Sequence, residues 1–126
     1  MGIGKYILDG DGNPKPERSL LKWAMWLEHS HLSKGKDNRI VQQDRVGGVS
    51  ISTVFLGLDH NFDDGPPVLW ETMVFGGEHN QYQRRYASRD DAVIGHMEAV
   101  EIVKASQADL KELERMALAG GWEPKQ

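Results

Sequence analysis

The chain has 126 residues, which is the length of one domain, 1–126, with its own hydrophobic core. It carries 19 acidic and 15 basic residues, and a net charge of −4 argues against general nucleic-acid binding, which needs a concentrated basic face. No segment approaches the roughly 20 apolar residues that span a bilayer. The absence of cysteine excludes disulfides, a thiol nucleophile and thiolate zinc sites. Together these properties predict a cytoplasmic protein without membrane contact.

The N-terminal segment reads as a short strand and a turn. Tyr6-Ile7-Leu8 is a brief apolar run, and Asp9-Gly10-Asp11-Gly12-Asn13-Pro14 follows it with turn composition. The D-x-D-x-N spacing resembles the start of a calcium loop. However, Pro14 stands where that loop requires glycine, and no glutamate closes it. We therefore predict no calcium site here.

A first helix is predicted over residues 17–30. Leu20, Trp23, Ala24 and Leu27 recur at helical spacing and form its apolar face. Trp26 lies well around the helix from this stripe and is expected to be exposed.

A four-stranded antiparallel meander follows. Gly47-Gly48 has the composition of a two-residue hairpin turn, and it pairs Val46 with Val49, Val41 with Val54 and Ile40 with Phe55. Asp63-Asp64-Gly65-Pro66-Pro67 reads as the second loop. The predicted strands cover residues 39–46, 50–58, 68–75 and 81–87.

A long C-terminal helix completes the chain. Ser88 is its predicted N-cap, and Gly120-Gly121 marks its end, either as one continuous helix or with a bend near Ser106. The predicted fold class is therefore α+β. A four- to five-stranded antiparallel meander carries an N-terminal helix and a long C-terminal helix, or two helices, packed on one face.

The predicted register brings charged side chains together. Taking 63–67 as the loop places Asp59 directly opposite Glu71, and two facing carboxylates repel each other. A five-residue third turn places Arg85 beside Glu71, where it offsets this repulsion. Two interpretations remain open: a solvated salt-bridge ladder, or a working surface.

The same register separates two faces of the sheet. One is nearly all apolar, and its residues predicted to lie beneath the helices are Val54, Leu56, Leu58, Val68, Trp70 and Val74. The other mixes polar and large apolar groups, as binding surfaces do. The candidate ligand- or partner-binding residues are Phe55, Asp59, Asn61, Glu71, Phe75, Arg84 and Arg85.

The sequence predicts no catalytic residue, metal site or cofactor. Asp59 and His60 have ligand chemistry, but strand alternation sends them to opposite faces. His96 lies on the apolar side of the C-terminal helix, where a buried histidine bonded to a strand carbonyl is favoured over a catalytic one.

Three segments carry a resemblance: STVFLGLDHNF at 52–62, GPPVLWETMVFGG at 65–77 and RYASRDDAVIGHMEAV at 85–100. Together they resemble a group of small uncharacterised proteins encoded by bacteriophages and prophages. The resemblance implies a host-cell cytoplasmic setting. It brings no catalytic residue with it.

Three functions follow as hypotheses. The first is a non-catalytic phage accessory protein that binds a host protein and blocks a defence or regulatory system. The second is a binder of a small nucleotide signal, gripped by Arg84, Arg85 and Asn61. The third is a metal-dependent or acid–base hydrolase that uses Asp59 and Glu71. A homodimer or larger homo-oligomer is also predicted, because so little helix covers only one sheet face.

Overall fold

The computed structural model describes residues 4–32 and 38–120. Two short strands pair as a hairpin near the N-terminus, and four longer strands form the main sheet. One helix follows the first hairpin and another ends the described chain. In chain order the elements are β1 (Tyr6–Leu8), β2 (Pro14–Pro16), α1 (Leu20–Leu32), β3 (Ile40–Val46), β4 (Val49–Phe55), β5 (Trp70–Phe75), β6 (Gln83–Tyr86) and α2 (Arg89–Leu118).

The main sheet is an antiparallel meander in the order β3-β4-β5-β6. Helix α2 packs across all four strands on one face. This arrangement confirms the predicted α+β class with an antiparallel meander and a long C-terminal helix.

Two clusters of buried side chains lie between the sheet and α2. One joins Ile51 and Val74 to Ala99, Val100 and Val103 of the helix, together with Val49. The other joins Phe55, Leu69, Trp70 and Tyr86 to Ala92, and Trp26 and Val41 pack against it. The inward residues alternate along β4 and β5, as expected for strands covered on one face.

The hairpin of β3 and β4 follows the prediction close to its turn. Val46 pairs with Val49 across Gly47-Gly48, whose φ angles of 52° and 86° suit glycine. Farther along, a bulge at Val41 shifts the register by one residue, so that Ile40 pairs with Val54. The predicted pairing of Ile40 with Phe55 is therefore wrong.

The predicted register between β4 and β5 is also wrong. Strand β4 ends at Phe55, and the connection to β5 covers residues 56–69 instead of 63–67. Phe55 pairs with Trp70, so every β4 partner moves by an odd number of residues, and β4 turns its odd-numbered instead of its even-numbered side chains to the face that carries Trp70 and Val74. Trp70 and Val74 are buried as predicted, whereas Val54, Leu56, Leu58 and Val68 are only half-buried.

The chain leaves the sheet after Phe55 because it pairs with the N-terminal segment. Gly57 has a φ of 76°, and its carbonyl accepts hydrogen bonds from the Tyr6 amide at 2.8 Å and the Trp23 indole at 2.9 Å. Leu58 forms a bridge with Lys5. Leu56 still donates to the Leu69 carbonyl at 2.7 Å, and the chain then turns at residues 57–58 towards the N-terminal segment.

Helix α1 departs from its predicted pattern of exposure, whereas α2 agrees with its prediction. In α1, Leu20 is 67% exposed. Trp26 is half-buried, because its ring packs edge-on against Phe55 at a centroid distance of 5.9 Å, so its predicted exposure is wrong. Helix α2 is continuous over 30 residues and has no bend at Ser106 that divides it. Its Ser88 cap is confirmed, since the side chain accepts from the Asp91 amide.

Candidate functional site

The sheet face that α2 does not cover, called the open face here, holds a small polar cluster. Arg85 Nε lies 2.9 Å from Glu71 Oε2, and Gln83 Nε2 donates to the same oxygen at 2.5 Å. Glu71 and Arg85 are register partners on β5 and β6. The predicted pairing of these two side chains is therefore confirmed, and the Glu71 side chain is only 12% exposed within the pair.

Apolar side chains frame this cluster. Phe75 is 50% exposed, and Met73 and Val54 are half-buried on the same side of the strands. In the described ranges 4–32 and 38–120, no helix or second sheet packs over the open face. A charged pair bordered by an exposed phenylalanine is a mixed surface of the kind found at protein interfaces.

Asp59 and Asn61 do not join the cluster. Asp59 Oδ1 accepts from the Asn61 amide at 2.8 Å and from the Val68 amide at 2.9 Å. Asn61 Nδ2 donates to the Pro66 carbonyl at 2.9 Å, and Asn61 Oδ1 accepts from the Asp63 amide at 3.0 Å. Both side chains stabilise the connection between β4 and β5, so the predicted opposition of Asp59 and Glu71 is wrong.

Two other predicted site residues lie on the α2 side of the sheet. Phe55 is a core residue at 2% exposure, since β4 presents its odd-numbered positions to the helix. Arg84 pairs with Glu98 of α2 at 2.5 Å, and its guanidinium lies 5.4 Å from the centre of the Tyr86 ring. The structure therefore brings together Glu71 and Arg85, places Phe75 on the same face four residues along β5, and separates these three from Phe55, Asp59, Asn61 and Arg84.

A second polar feature lies under α2. His96 is fully buried, with Nδ1 2.7 Å from Thr53 Oγ1 and Nε2 2.7 Å from Asp44 Oδ2. Thr53 Oγ1 lies 2.5 Å from Thr72 Oγ1, which accepts from the Tyr86 hydroxyl at 3.0 Å. We call Tyr86, Thr72, Thr53, His96 and Asp44 the polar chain.

The proton positions along the polar chain follow from counting donors and acceptors. An ionised Asp44 only accepts, so His96 Nε2 carries a proton and donates it. With the Tyr86 hydroxyl donating to Thr72, every hydroxyl is satisfied when Thr72 donates to Thr53 and Thr53 donates to His96 Nδ1. In this arrangement every buried hydroxyl is satisfied, and no buried side-chain polar atom in the described residues lacks a partner.

Two pKa values reflect this arrangement. The hydrogen bond from His96, with a further one from Gln42, holds the pKa of Asp44 below its ordinary value. Burial raises the pKa of the Tyr86 phenol, although its bond to Thr72 opposes that effect. The polar chain is therefore anchored by an ionised carboxylate at one end and a neutral phenol at the other.

A hydroxyl, an imidazole and a carboxylate in series also make up a hydrolase triad. In a triad the hydroxyl faces the substrate, whereas here the carboxylate end faces solvent and the hydroxyl is buried. Thr53 is 0% exposed between the sheet and α2, while the Asp44 side chain is 41% exposed. A substrate could not reach the Thr53 hydroxyl, so the polar chain acts structurally by fixing α2 on the sheet. His96 is buried as predicted, but a hydroxyl and a carboxylate replace the predicted carbonyl.

The sequence prediction did not include Thr53 and Thr72 as partners for His96. The available signal was the position of both threonines between large apolar residues at strand spacing, Ile51 with Phe55 and Trp70 with Val74. A hydroxyl at a core position of a strand needs a polar partner. His96 is the polar residue on the apolar side of the covering helix.

In residues 4–32 and 38–120, no group of three or more histidine, aspartate or glutamate side chains is placed to hold a metal ion. In the same residues no helix has the length and apolar character needed to cross a bilayer. Comparison with known proteins gives no match to a protein-family model, to a curated protein or to a solved structure.

Proposed function

We propose that this protein is a non-catalytic binding protein that engages a partner protein through the open face of its sheet. The observation that carries the proposal is the exposed Phe75 beside the hydrogen-bonded cluster of Glu71, Gln83 and Arg85. Buried aromatic and arginine side chains supply much of the energy at protein interfaces. The cluster also has a fixed geometry before binding, which lowers the entropy lost on association.

The partner belongs to the same proposal. The segments that resemble phage and prophage proteins include all of β5 and parts of β4 and β6, strands whose side chains form most of the open face. That resemblance supports an accessory protein that acts in the cytoplasm of a bacterial host. It would bind a host protein and thereby inhibit a defence or regulatory system.

Self-association is a separate part of the proposal. Beyond Val103, the inward stripe of α2 continues as Leu110 and Leu113, which are 53% and 49% exposed. A second copy packed with two-fold symmetry would cover these side chains. The homo-oligomer would then use α2 and leave the open face available to a different partner.

The nucleotide-binding hypothesis loses its original residues. Arg85 lies on the open face, Arg84 pairs with Glu98 on the opposite side, and Asn61 is bonded within the β4–β5 connection. These three side chains cannot grip one small molecule together. The hydrolase hypothesis likewise loses its pair, because Asp59 and Glu71 are not neighbours.

The test compares two matched charge insertions. Phe75→Glu places a carboxylate on the open face, and Ile94→Glu places one at a similarly exposed position of α2, since the two side chains are 50% and 57% exposed. Wild-type protein and both variants are expressed in a bacterial host. Co-purifying proteins are identified, and the main candidate is purified for calorimetric titration.

The proposal expects Phe75→Glu to weaken that binding by about 100-fold, as expected for a central interface residue, and Ile94→Glu to leave it unchanged. Melting curves of both variants show whether the fold is retained. Normal binding by a folded Phe75→Glu protein would refute the open face as the interface. Loss of binding by Ile94→Glu alone would move the interface to α2.

A further inference from the structure

A pocket with a volume of about 650 Å³ lies apart from the open face. It is enclosed by the turn between β1 and β2, by α1, by the start of β3 and by the first residue of α2. This volume is within the range of sites that bind small organic molecules. The pocket also contains both apolar and charged side chains.

Aromatic rings form one wall of the pocket. Phe55 packs edge-on against Trp26 on one side and Trp70 on the other, with centroid distances of 5.9 and 5.7 Å. Phe55 and Trp70 are 2% and 3% exposed, so this wall is held rigidly by the core. A rigid aromatic wall favours a flat ligand, because little side-chain entropy is lost on stacking.

Trp70 supplies a polar signal as well. Its indole N–H has no acceptor among the described residues. In those residues, every side-chain polar atom that is inaccessible to solvent has a hydrogen-bond partner. The N–H therefore keeps contact with solvent even though the residue is almost fully buried. Because Trp70 lines the pocket, a bound ligand with an acceptor atom can satisfy this donor.

Charged groups of both signs complete the lining. Arg89 begins α2 and has no ion-pair partner in the part of the chain that the structure describes, and the positive end of the α2 dipole adds to its charge. Across the pocket, Asp9 Oδ1 fixes the turn by accepting from the amides of Asp11 and Asn13, each at 2.9 Å. Arg89 suits an anionic group. The acidic turn disfavours ligands that carry several negative charges.

We infer that this pocket binds a planar aromatic molecule that carries a single carboxylate or phosphate group. The ring would stack on Trp26, which Phe55 supports from the core, and Arg89 would bind the anionic group. The pocket is separate from the open face, so it gives the protein a small-molecule site in addition to its proposed partner interface.

The experiment uses calorimetric titration of the full chain with four probes. These are adenosine 5′-monophosphate and 2-naphthoate as aromatic anions, adenosine as the uncharged ring, and inorganic phosphate as the anion alone. We expect saturable binding of at least one aromatic anion, adenosine about 10-fold weaker than the monophosphate if that is the ligand, and no saturable binding of phosphate. Failure of both aromatic anions to bind at about 5 mM refutes the inference.

Variants locate the bound molecule. Arg89→Gln should weaken binding of the aromatic anion by about 10-fold, because it removes one charge-assisted hydrogen bond. Arg115→Gln is the matched control, since Arg115 pairs with Glu112 at the far end of α2.

Trp26→Phe keeps a ring in the wall and should shift affinity less than Trp26→Leu. Equal affinity in wild type and folded Arg89→Gln and Trp26→Leu proteins would show that any binding is elsewhere, and would overturn the inference. Neither result bears on the proposed partner binding through Phe75 on the open face.

Discussion

Replacing Thr53 by valine tests the polar chain with almost no change in side-chain shape. Thr53 is 0% exposed, and its hydroxyl contacts both Thr72 Oγ1 and His96 Nδ1. Without it, the Thr72 proton loses its acceptor and His96 Nδ1 loses its donor. No cavity forms, so any loss of stability comes from hydrogen bonding.

The expected magnitude follows from those two groups. Each buried polar group left without a partner costs about 1 to 3 kcal/mol. The methyl group gained by valine returns about 0.8 kcal/mol. The free energy of unfolding should therefore fall by about 1 to 5 kcal/mol, a large part of the roughly 5 to 15 kcal/mol that stabilises an ordinary domain.

Urea unfolding followed by tryptophan fluorescence measures this change. Ser52→Ala is the matched control, because Ser52 is the preceding residue on the open side of β4 and its hydroxyl meets only Gln43, at 3.4 Å. We expect the control to shift stability by less than about 0.5 kcal/mol. Combining Thr53→Val with His96→Leu should cost less than the sum of the two changes, since each removes a group that the other leaves unpaired. A Thr53→Val loss below about 0.5 kcal/mol, with additive double-variant behaviour, would refute the polar chain.

Three further predictions use other contacts. Gly95→Ala should lower the free energy of unfolding by more than about 2 kcal/mol in the same urea assay, despite the better helix propensity of alanine, because the new methyl group would collide with the Tyr86 ring. The hydrogen bond from His96 lowers the pKa of Asp44, so the ionised carboxylate stabilises the fold at pH values above its ordinary pKa near 4. This contribution is lost as the pH falls through the lowered pKa. Asp44→Asn should therefore lose less stability than wild type in unfolding curves measured from about pH 6 to 2. Leu113→Glu should reduce the mass measured by light scattering to that of a monomer while leaving the far-UV circular dichroism spectrum unchanged. An unchanged oligomer would exclude the α2 stripe as the self-association surface.

Local signals in the sequence predicted several features correctly. The Gly47-Gly48 turn and the Ser88 cap each depend on residues within one turn of the chain. The pairing of Glu71 with Arg85 depends only on the short connection between β5 and β6, so its register could be counted directly. None of these features requires knowledge of distant contacts.

The mispredicted features depend on distant contacts. Trp26 was expected in solvent because it lies outside the apolar stripe of α1, but α1 packs at the end of the sheet, where Phe55 meets that ring. Asp59 was expected opposite Glu71, but its carboxylate binds the Val68 amide and closes the long connection. Helical and strand periodicity describe each element separately, so they do not report which element covers which.

The end of β4 could nevertheless have been found from the phase of its apolar residues. Val49, Ile51 and Phe55 occupy odd-numbered positions, whereas Val54, Leu56 and Leu58 occupy even-numbered ones. A strand covered on one face keeps a single phase, so the change of phase near residues 54–55 indicates that the strand ends there. Gly57 lies just beyond, at φ 76°, where the chain turns towards Tyr6. Reading the odd phase as the inward one would have placed Thr53 in the core, as the phase of β5 already places Thr72 between Trp70 and Val74. It would then have raised the question of which side chain satisfies the two hydroxyls.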